Sequence, residues 1–508
     1  MNFSGAPVLV AGAGVSGQAA ARALLLAGAA VTVTAPAASE GTDRLAAAGA
    51  RIALGLAGPP EGTALVVTSP GLRPTDPLLV AAEEAGIEVI GEVELAWRLQ
   101  GPHGPAWLAL TGTNGKTTTV RMLESMLLAA GHRAVAAGNV GLPITEAVLA
   151  DPPYEVLAVE LSSFQLHRSP SVRPYAAAVL NLAADHLDWH GTMAAYTAAK
   201  ARIWAGGVAI GNADDSLVRD LLARAPGRQV AFTLGPPRQG QLGVAAGMLL
   251  DRAFGPGEVP APGAAGVVLG PVADVRPAGP HNVANALAAA ALARAYGVPA
   301  GAVAEGLRRF VPDRHRNEPV GQVAGVGYVD DSKATNPHAA AASLAAYPRV
   351  VWIAGGQLKG ADVDDLVAAH AHRLVGAVLL GQDRAAVAAA IARHAPDLPV
   401  IEIASTDHGA MLEVVRAAAG LAGPGDTVLL APAGASWDMF ANYGARGDAF
   451  AAAVRGLPPG LSGDPRVRSR ATPDTPTGPP PGLSGDPEDR SRATPDNPPG
   501  PRTEPGPP

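Results

Sequence analysis

Short apolar runs that end in glycine or a small polar residue recur along this chain, alternating with alanine-rich stretches: "VLVAGAG", "LVVTSPG", "WLALTGT", "VLAVEL", "AAVLNLA", "VVWIAGG", "AVLLGQ" and "TVLLAPAG". Runs this short and this apolar suit strands buried on both faces, and such strands need helices to cover them. The alternation predicts an α/β protein built on mostly parallel sheets, with ligand-binding groups at the C-terminal ends of the strands. A length of 508 residues is too great for one core and points to about three domains. Aromatic residues make up only 4% of the chain, so the cores must be built from Ala, Val, Leu and Ile, with helices packed closely through alanine.

Several function classes are excluded early. Lys and Arg number 38 against 45 Asp and Glu, a net charge of −7, and no basic run is long enough to track a nucleic-acid backbone. Without cysteine there is no disulfide, no thiolate catalysis and no cysteine zinc site. The start "MNFSGAPVLVAGAG" lacks a basic segment and is interrupted by glycines, unlike a signal peptide. The longest apolar helix candidate, "ALAAAALA" from Ala286, is too short to span a bilayer. A soluble, cytoplasmic protein is expected. After Arg455 the composition shifts to Pro, Gly, Ser, Asp and Arg, and "PGLSGDPRVRSRATPD" returns as "PGLSGDPEDRSRATPD". That segment, 456–508, cannot bury a core and is expected to be a disordered tail. The expected domains are 1–93, 94–310 and 311–455.

Two loops carry phosphate-binding signals. "VLVAGAGVSG" places Gly12, Gly14 and Gly17 between a strand and a helix, which suits either a phosphate held at a helix N-terminus or a plain strand-to-helix turn. The next strand ends at Thr34 without the acidic residue that would hold a ribose. "WLALTGTNGKTTTVRMLESML" is more specific: a strand, the loop Gly112, Thr113, Asn114, Gly115, then Lys116, Thr117 and Thr118 opening a helix. The loop amides can ring phosphates, Lys116 can neutralise charge near the β and γ oxygens, and the Thr117 hydroxyl can ligate Mg²⁺. Yet the glycine-to-lysine spacing is shorter than in G-x-x-x-x-G-K-[ST]. Downstream, Glu160 closes one apolar strand, and Asp185, His186 and Asp188 follow another, where they could hold a cation.

In order, "GTNGKTTT", "GNVGLP", "ELSSFQL", "NLAADHLDWHGTMAAYTAAKARI", "GPHNVANALAA", "HRNEPV" and "DDSKATNPHA" resemble the Mur ligases of peptidoglycan synthesis, over about residues 5–455. The short G-T-x-G-K-[ST] loop is that family's form. The resemblance implies a Rossmann-like UDP-binding domain, a central P-loop ATPase-like domain and a Rossmann-like third domain. It also implies an ATP-dependent amide ligation through an acyl phosphate. "ELSSFQL", "DDSKATN" and "APAGASWDMFANYGARGDAF" are similar to the branch that adds D-glutamate to UDP-N-acetylmuramoyl-L-alanine.

By position in those motifs, Lys116, Asn285, Arg316 and Asp331 would contact ATP. Thr117 and Glu160 would hold one Mg²⁺, and His186 and Lys200 a second, the lysine as its carbamate. Lys116, His186 and Lys200 are the catalytic candidates. Lys333, Thr335, Lys359, Ser436 and Tyr443 would form the amino-acid site, Asn139 and His186 would face the muramoyl-alanine end, and Val15, Ser16 and Gly71 would meet the uridine. A monomer is expected. The competing readings are another muramyl-peptide ligase, a dehydrogenase using Gly12 to Gly17, and a noncatalytic ATP-binding module.

Overall fold

The computed structural model describes residues 3–255, 266–405, 407 and 409–458. It contains three sheets in chain order. The first holds β1 (Pro7–Ala11), β2 (Ala30–Thr34), β3 (Arg51–Ile52), β4 (Leu65–Thr68) and β5 (Glu88–Gly91), all parallel, in the order β3-β2-β1-β4-β5. The second holds β6 (Ala106–Thr111), β7 (Ala134–Gly138), β8 (Val156–Glu160), β9 (Ala176–Val179), β10 (Val208–Asn212), β11 (Arg228–Phe232), β12 (Gln241–Ala245), β13 (Met248–Asp251) and β14 (Val267–Pro271). Its order is β14-β13-β12-β11-β10-β9-β6-β8-β7, parallel except where β13 and β14 turn back. The third holds β15 (Glu318–Val323), β16 (Val326–Asp330), β17 (Val350–Gly355), β18 (Leu374–Leu380), β19 (Val400–Glu402) and β20 (Thr427–Ala433), in the order β15-β16-β20-β17-β18-β19, with only β15 antiparallel.

Each apolar run named above is a strand, and β1, β4, β6, β8, β9, β17, β18 and β20 are buried along nearly their whole length. The helices Lys116–Ala129, Pro280–Ala295 and Ala300–Arg309 pack together beside the second sheet. Residues Ala286 to Ala293 are buried on every face. A Cβ placed on Gly306 would sit 2.5 Å from the Met126 Cα, so small residues are what let these backbones approach.

Two expected boundaries need adjustment. The cut after residue 93 passes through the helix Glu92–Leu99, which joins the first sheet to the second. The core of the third domain extends past Arg455: Leu457 is buried with Phe450 and Val454, because the helix Tyr443–Arg455 ends in a turn that directs it inward. The rest of the expected tail, from 459, lies outside the described residues. Among the described residues, no helix is long and apolar enough to cross a membrane.

In the second sheet β6 lies between β8 and β9, so the chain leaves its first strand in both directions. Parallel sheets open a crevice at such a reversal, above the carboxyl ends of the strands. Gly112 to Gly115 follow β6, Glu160 ends β8, and Asn181 to His186 follow β9, which brings all three segments to one edge.

Candidate active site

Gly115 has φ 81°, and a Cβ there would lie 2.3 Å from Asn285 Oδ1. Both the left-handed turn and the contact with Asn285 therefore require glycine. The loop is fixed from β9 by Asn181, whose Oδ1 accepts from Asn114 N at 2.8 Å and whose Nδ2 donates to Asn114 O at 3.0 Å. Lys116 folds back over the loop, donating from Nζ to Gly112 O at 3.0 Å and Thr113 O at 2.8 Å. Burial pushes its pKa down, opposed by the charges of Glu160 and Asp185. No side chain caps this helix, so its first amides are available to an anion.

Lys200 reaches the same loop from the helix Met193–Ala201. It is 2% exposed and donates to Thr111 Oγ1 at 3.2 Å and to Gly112 O at 2.8 Å, with the Tyr196 ring centroid 4.8 Å from Nζ. Two lysines thus share one buried carbonyl. Burial first, and the charge of Lys116 second, hold the Lys200 pKa well below the usual lysine value. Glu160 is 1% exposed; Oε1 accepts from Asn139 Nδ2 at 2.9 Å, while Oε2 is buried without a hydrogen-bond partner. An orphaned carboxylate oxygen beside a phosphate loop is a donor of the hard-oxygen kind that Mg²⁺ takes. Thr117 stands one residue beyond Lys116 in the same lining.

The opposite wall comes from the third domain. Arg316 is held between His315 and Asn317, both at positive φ, 63° and 48°. The His315 ring is tied to Asp330 by a 2.7 Å contact from Nδ1 to Oδ2, and its backbone N donates to Glu318 Oε2 at 2.7 Å. A Cβ on Gly447 would meet His315 Nδ1 at 2.2 Å, so the last helix leaves room for this brace only at a glycine. Asp331 accepts from Asn317 N at 3.2 Å and from the Ser343 hydroxyl, and burial raises its pKa to about 6 against the pull of Arg316. Lys333 Nζ lies 5.0 Å from the Tyr443 ring centroid, and burial together with Arg316 lowers its pKa to about 8.

Together these walls enclose a cleft of about 530 Å³. Of the expected residues, Thr113, Asn114, Gly115, Lys116, Thr117, Thr118, Asn139, Glu160, Asn285, Arg316, Asp331, Lys333, Thr335 and Tyr443 line it. Gly112 begins the loop without lining the cleft, and Lys200 reaches its carbonyl from behind.

Family models match residues 110–293 as the Mur ligase middle domain and 315–434 as the Mur ligase glutamate ligase domain. The chain is 56% identical over 471 residues to the UDP-N-acetylmuramoylalanine–D-glutamate ligase of Streptomyces avermitilis, covering 90% of this chain and 99% of that one. It is 58% identical over 474 residues to the ligase of the same name from Thermobifida fusca, covering 90% and 100%. The chain belongs to the Mur ligase family.

The solved UDP-N-acetylmuramate-alanine ligase of Thermotoga maritima shares the fold of this Mur ligase at a TM-score of 0.55 and 17% identity, over 89% of this chain and 99% of that one. Some of the expected residues of this Mur ligase lie away from the cleft. Val15, Ser16 and Gly71 stand at the first sheet, where Ser16 hydrogen-bonds buried Glu92. His186, with φ 53° and its Nε2 3.5 Å from Asp185 Oδ2, packs its ring against Phe164 at 4.8 Å. The side chain of Asp188 lies outside the described residues. Lys359, at φ 54°, is stacked 4.4 Å over the Trp437 ring, next to Ser436.

Sequence reasoning passed over Arg446. It is 2% exposed and donates to Ser332 Oγ at 3.0 Å, Ser332 O at 2.8 Å and Gly434 O at 3.1 Å. It thereby joins the segment carrying Lys333 to the segment carrying Ser436. An arginine inside the otherwise alanine-rich "YGARGDAFAAAVR" was the available signal.

Proposed function

We infer that this Mur ligase adds D-glutamate to UDP-N-acetylmuramoyl-L-alanine at the expense of ATP, in peptidoglycan precursor synthesis. The observation that carries the reading is the meeting of Lys116 and Glu160 on one wall with Arg316 and Lys333 on the other across a single cleft. Phosphoryl transfer from ATP to a carboxylate, followed by capture by an amine, needs such a gathering of charge.

In this scheme the alanyl carboxylate of the UDP-linked substrate attacks the γ-phosphorus, and ADP leaves. Lys116 and the free helix amides hold the phosphates, and the guanidinium of Arg316, kept in place by the His315–Asp330 brace, faces the transferring group. The amine of D-glutamate then attacks the acyl carbon, the nitrogen gives up a proton, and phosphate departs. Lys333, Lys359, Thr335, Ser436 and Tyr443 would receive the amino acid, its two carboxylates suiting two cations. Asn139 and His186 would lie toward the muramoyl-alanine end, and Val15, Ser16 and Gly71 toward the uridine. Bound Mg²⁺ would neutralise phosphate charge, held by Thr117 and Glu160 at one position and by His186 and a carbamate of Lys200 at a second. ATP and UDP-linked sugars are cytoplasmic, so the enzyme works there. One chain supplies every side chain named, which is sufficient for a monomer.

The reading is tested by phosphate release from ATP and UDP-N-acetylmuramoyl-L-alanine with an amino-acid panel. Turnover is expected with D-glutamate and not with L-glutamate, lysine or diaminopimelate; preference for any of these would replace the assignment.

Two further outcomes follow from the third domain. Ionised Asp331 places negative charge near Arg316, and its carboxyl, raised by burial to about 6, becomes neutral below that pH. The kcat/KM for ATP should therefore fall as pH drops through about 6, and Asp331→Asn should remove that limb of the profile at a lower plateau. Arg446→Met should raise the KM for D-glutamate by about tenfold or more, with a melting temperature lower by several degrees, because it leaves Gly434 O and Ser332 O without a buried donor. An unchanged KM would show that the two segments hold their spacing without it.

A further inference from the structure

The side-chain amide of Asn114, in the middle of the phosphate loop, is bound at both ends by the third domain. Its Oδ1 accepts from Asn336 Nδ2 at 3.3 Å, and its Nδ2 lies 2.8 Å from His338 Nδ1, across 222 and 224 residues of sequence. Because Oδ1 is used as an acceptor, Nδ2 must be the donor, and His338 must carry its proton on Nε2 and accept on Nδ1. Partial desolvation of the ring holds His338 below the usual histidine pKa and so favours that neutral form, although the residue keeps an exposed edge. Asn336 is itself fixed, since its Oδ1 caps the helix Pro337–Leu344 by accepting from Ala339 N at 2.9 Å. On the other side, the Asn114 backbone is locked to Asn181 of the central domain. Asn336 and the Asn114 backbone are therefore both anchored, and the third domain engages the oxygen and one N–H of the amide between them.

We propose that His338 and Asn336 are positioning residues that clasp the phosphate loop through Asn114, seating the third domain on the nucleotide site. The proposal rests on the reading of the cleft as an ATP site. A ligand that touches both domains binds only when they are together, so its apparent affinity is scaled by the fraction of molecules in that arrangement. ATP, between Lys116 and Arg316, is such a ligand. The UDP-linked substrate, meeting the first and central domains, is not. The clasp should therefore govern the KM for ATP and leave the KM for the UDP-linked substrate alone, a division that general loss of structure would not produce.

The test is steady-state phosphate release by the full-length enzyme and its variants, with a thermal melt on each. His338→Ala is expected to raise the KM for ATP by about tenfold, the share of one lost hydrogen bond, with the KM for the UDP-linked substrate within twofold. His338→Asn keeps an acceptor at nearly the position of Nδ1 and should recover most of the loss. Asn114→Ala combined with His338→Ala should be no worse than Asn114→Ala alone. An unchanged KM for ATP in His338→Ala, equal loss in His338→Asn, or additive effects in the pair would each overturn the clasp. Wild-type enzyme without ATP-dependent phosphate release would instead overturn the reading of the cleft, and the clasp with it.

Discussion

Lys116→Ala is expected to reduce kcat/KM for ATP by about a thousandfold, the scale on which a preorganised charge at a developing anion acts. Lys116 is half-buried and already held against the loop by two carbonyls, Gly112 O and Thr113 O, so little side-chain freedom remains to be lost when phosphate arrives. Its pKa is held down by burial and recovers when negative charge is placed beside it. Arginine should not substitute, because the loop closes on a compact ammonium and a guanidinium fork needs more room. The measurement is ATP-dependent phosphate release, with an equilibrium titration of nucleotide binding. A variant within tenfold of wild type in kcat/KM would remove Lys116 from the phosphoryl-transfer step.

Lys200→Ala should lose most of the activity, about a hundredfold or more, and added acetate or another short carboxylate should restore part of it. The reason is local. Lys200 and Lys116 both donate to Gly112 O, and two ammonium groups cannot share one buried carbonyl without penalty. Burial, with the charge of Lys116 beside it, pushes Lys200 well below the usual lysine pKa, which favours the neutral amine that adds to CO₂. The resulting carbamate is an anion with two acceptor oxygens, the donor type a hard cation prefers. If Lys200 serves only to brace Thr111 and Gly112, the alanine variant will be less stable and acetate will have no effect. Full activity without supplement would remove it from the site altogether. Wild-type enzyme depleted of bicarbonate should show reduced turnover that bicarbonate restores.

Much of the fold could be read directly, because β1, β4, β6, β8, β9, β17, β18 and β20 are short apolar runs rich in Val, Leu, Ile and Ala, most of them leading into glycine or a small polar residue or running to a strand-end carboxylate. The antiparallel edge of the second sheet, β12 to β14, was not recognised. Its strands carry mixed faces, as in "QLGVAAGMLLD", and their pairing is decided by turns and neighbours rather than by periodicity. β7, "AVAAG", was missed because alanine is indifferent between strand and helix, and only its place beside β8 makes it a strand.

The sequence by itself determined the α/β class, the phosphate loop, Glu160 at the end of its strand and the order of motifs that marks the family, since these are local in the chain: a turn needs its glycine, and a buried strand needs its apolar run. Only the tertiary structure decided which charges meet. Arg316 and Lys333 face Lys116 because the third domain is seated on the phosphate loop. The Lys200 pKa is pushed down because the side chain is buried beside Lys116, a residue 84 positions earlier in the numbering. Arg446 joins two segments separated by about a hundred residues. Desolvation and charge coupling act through space, so no spacing along the chain encodes them.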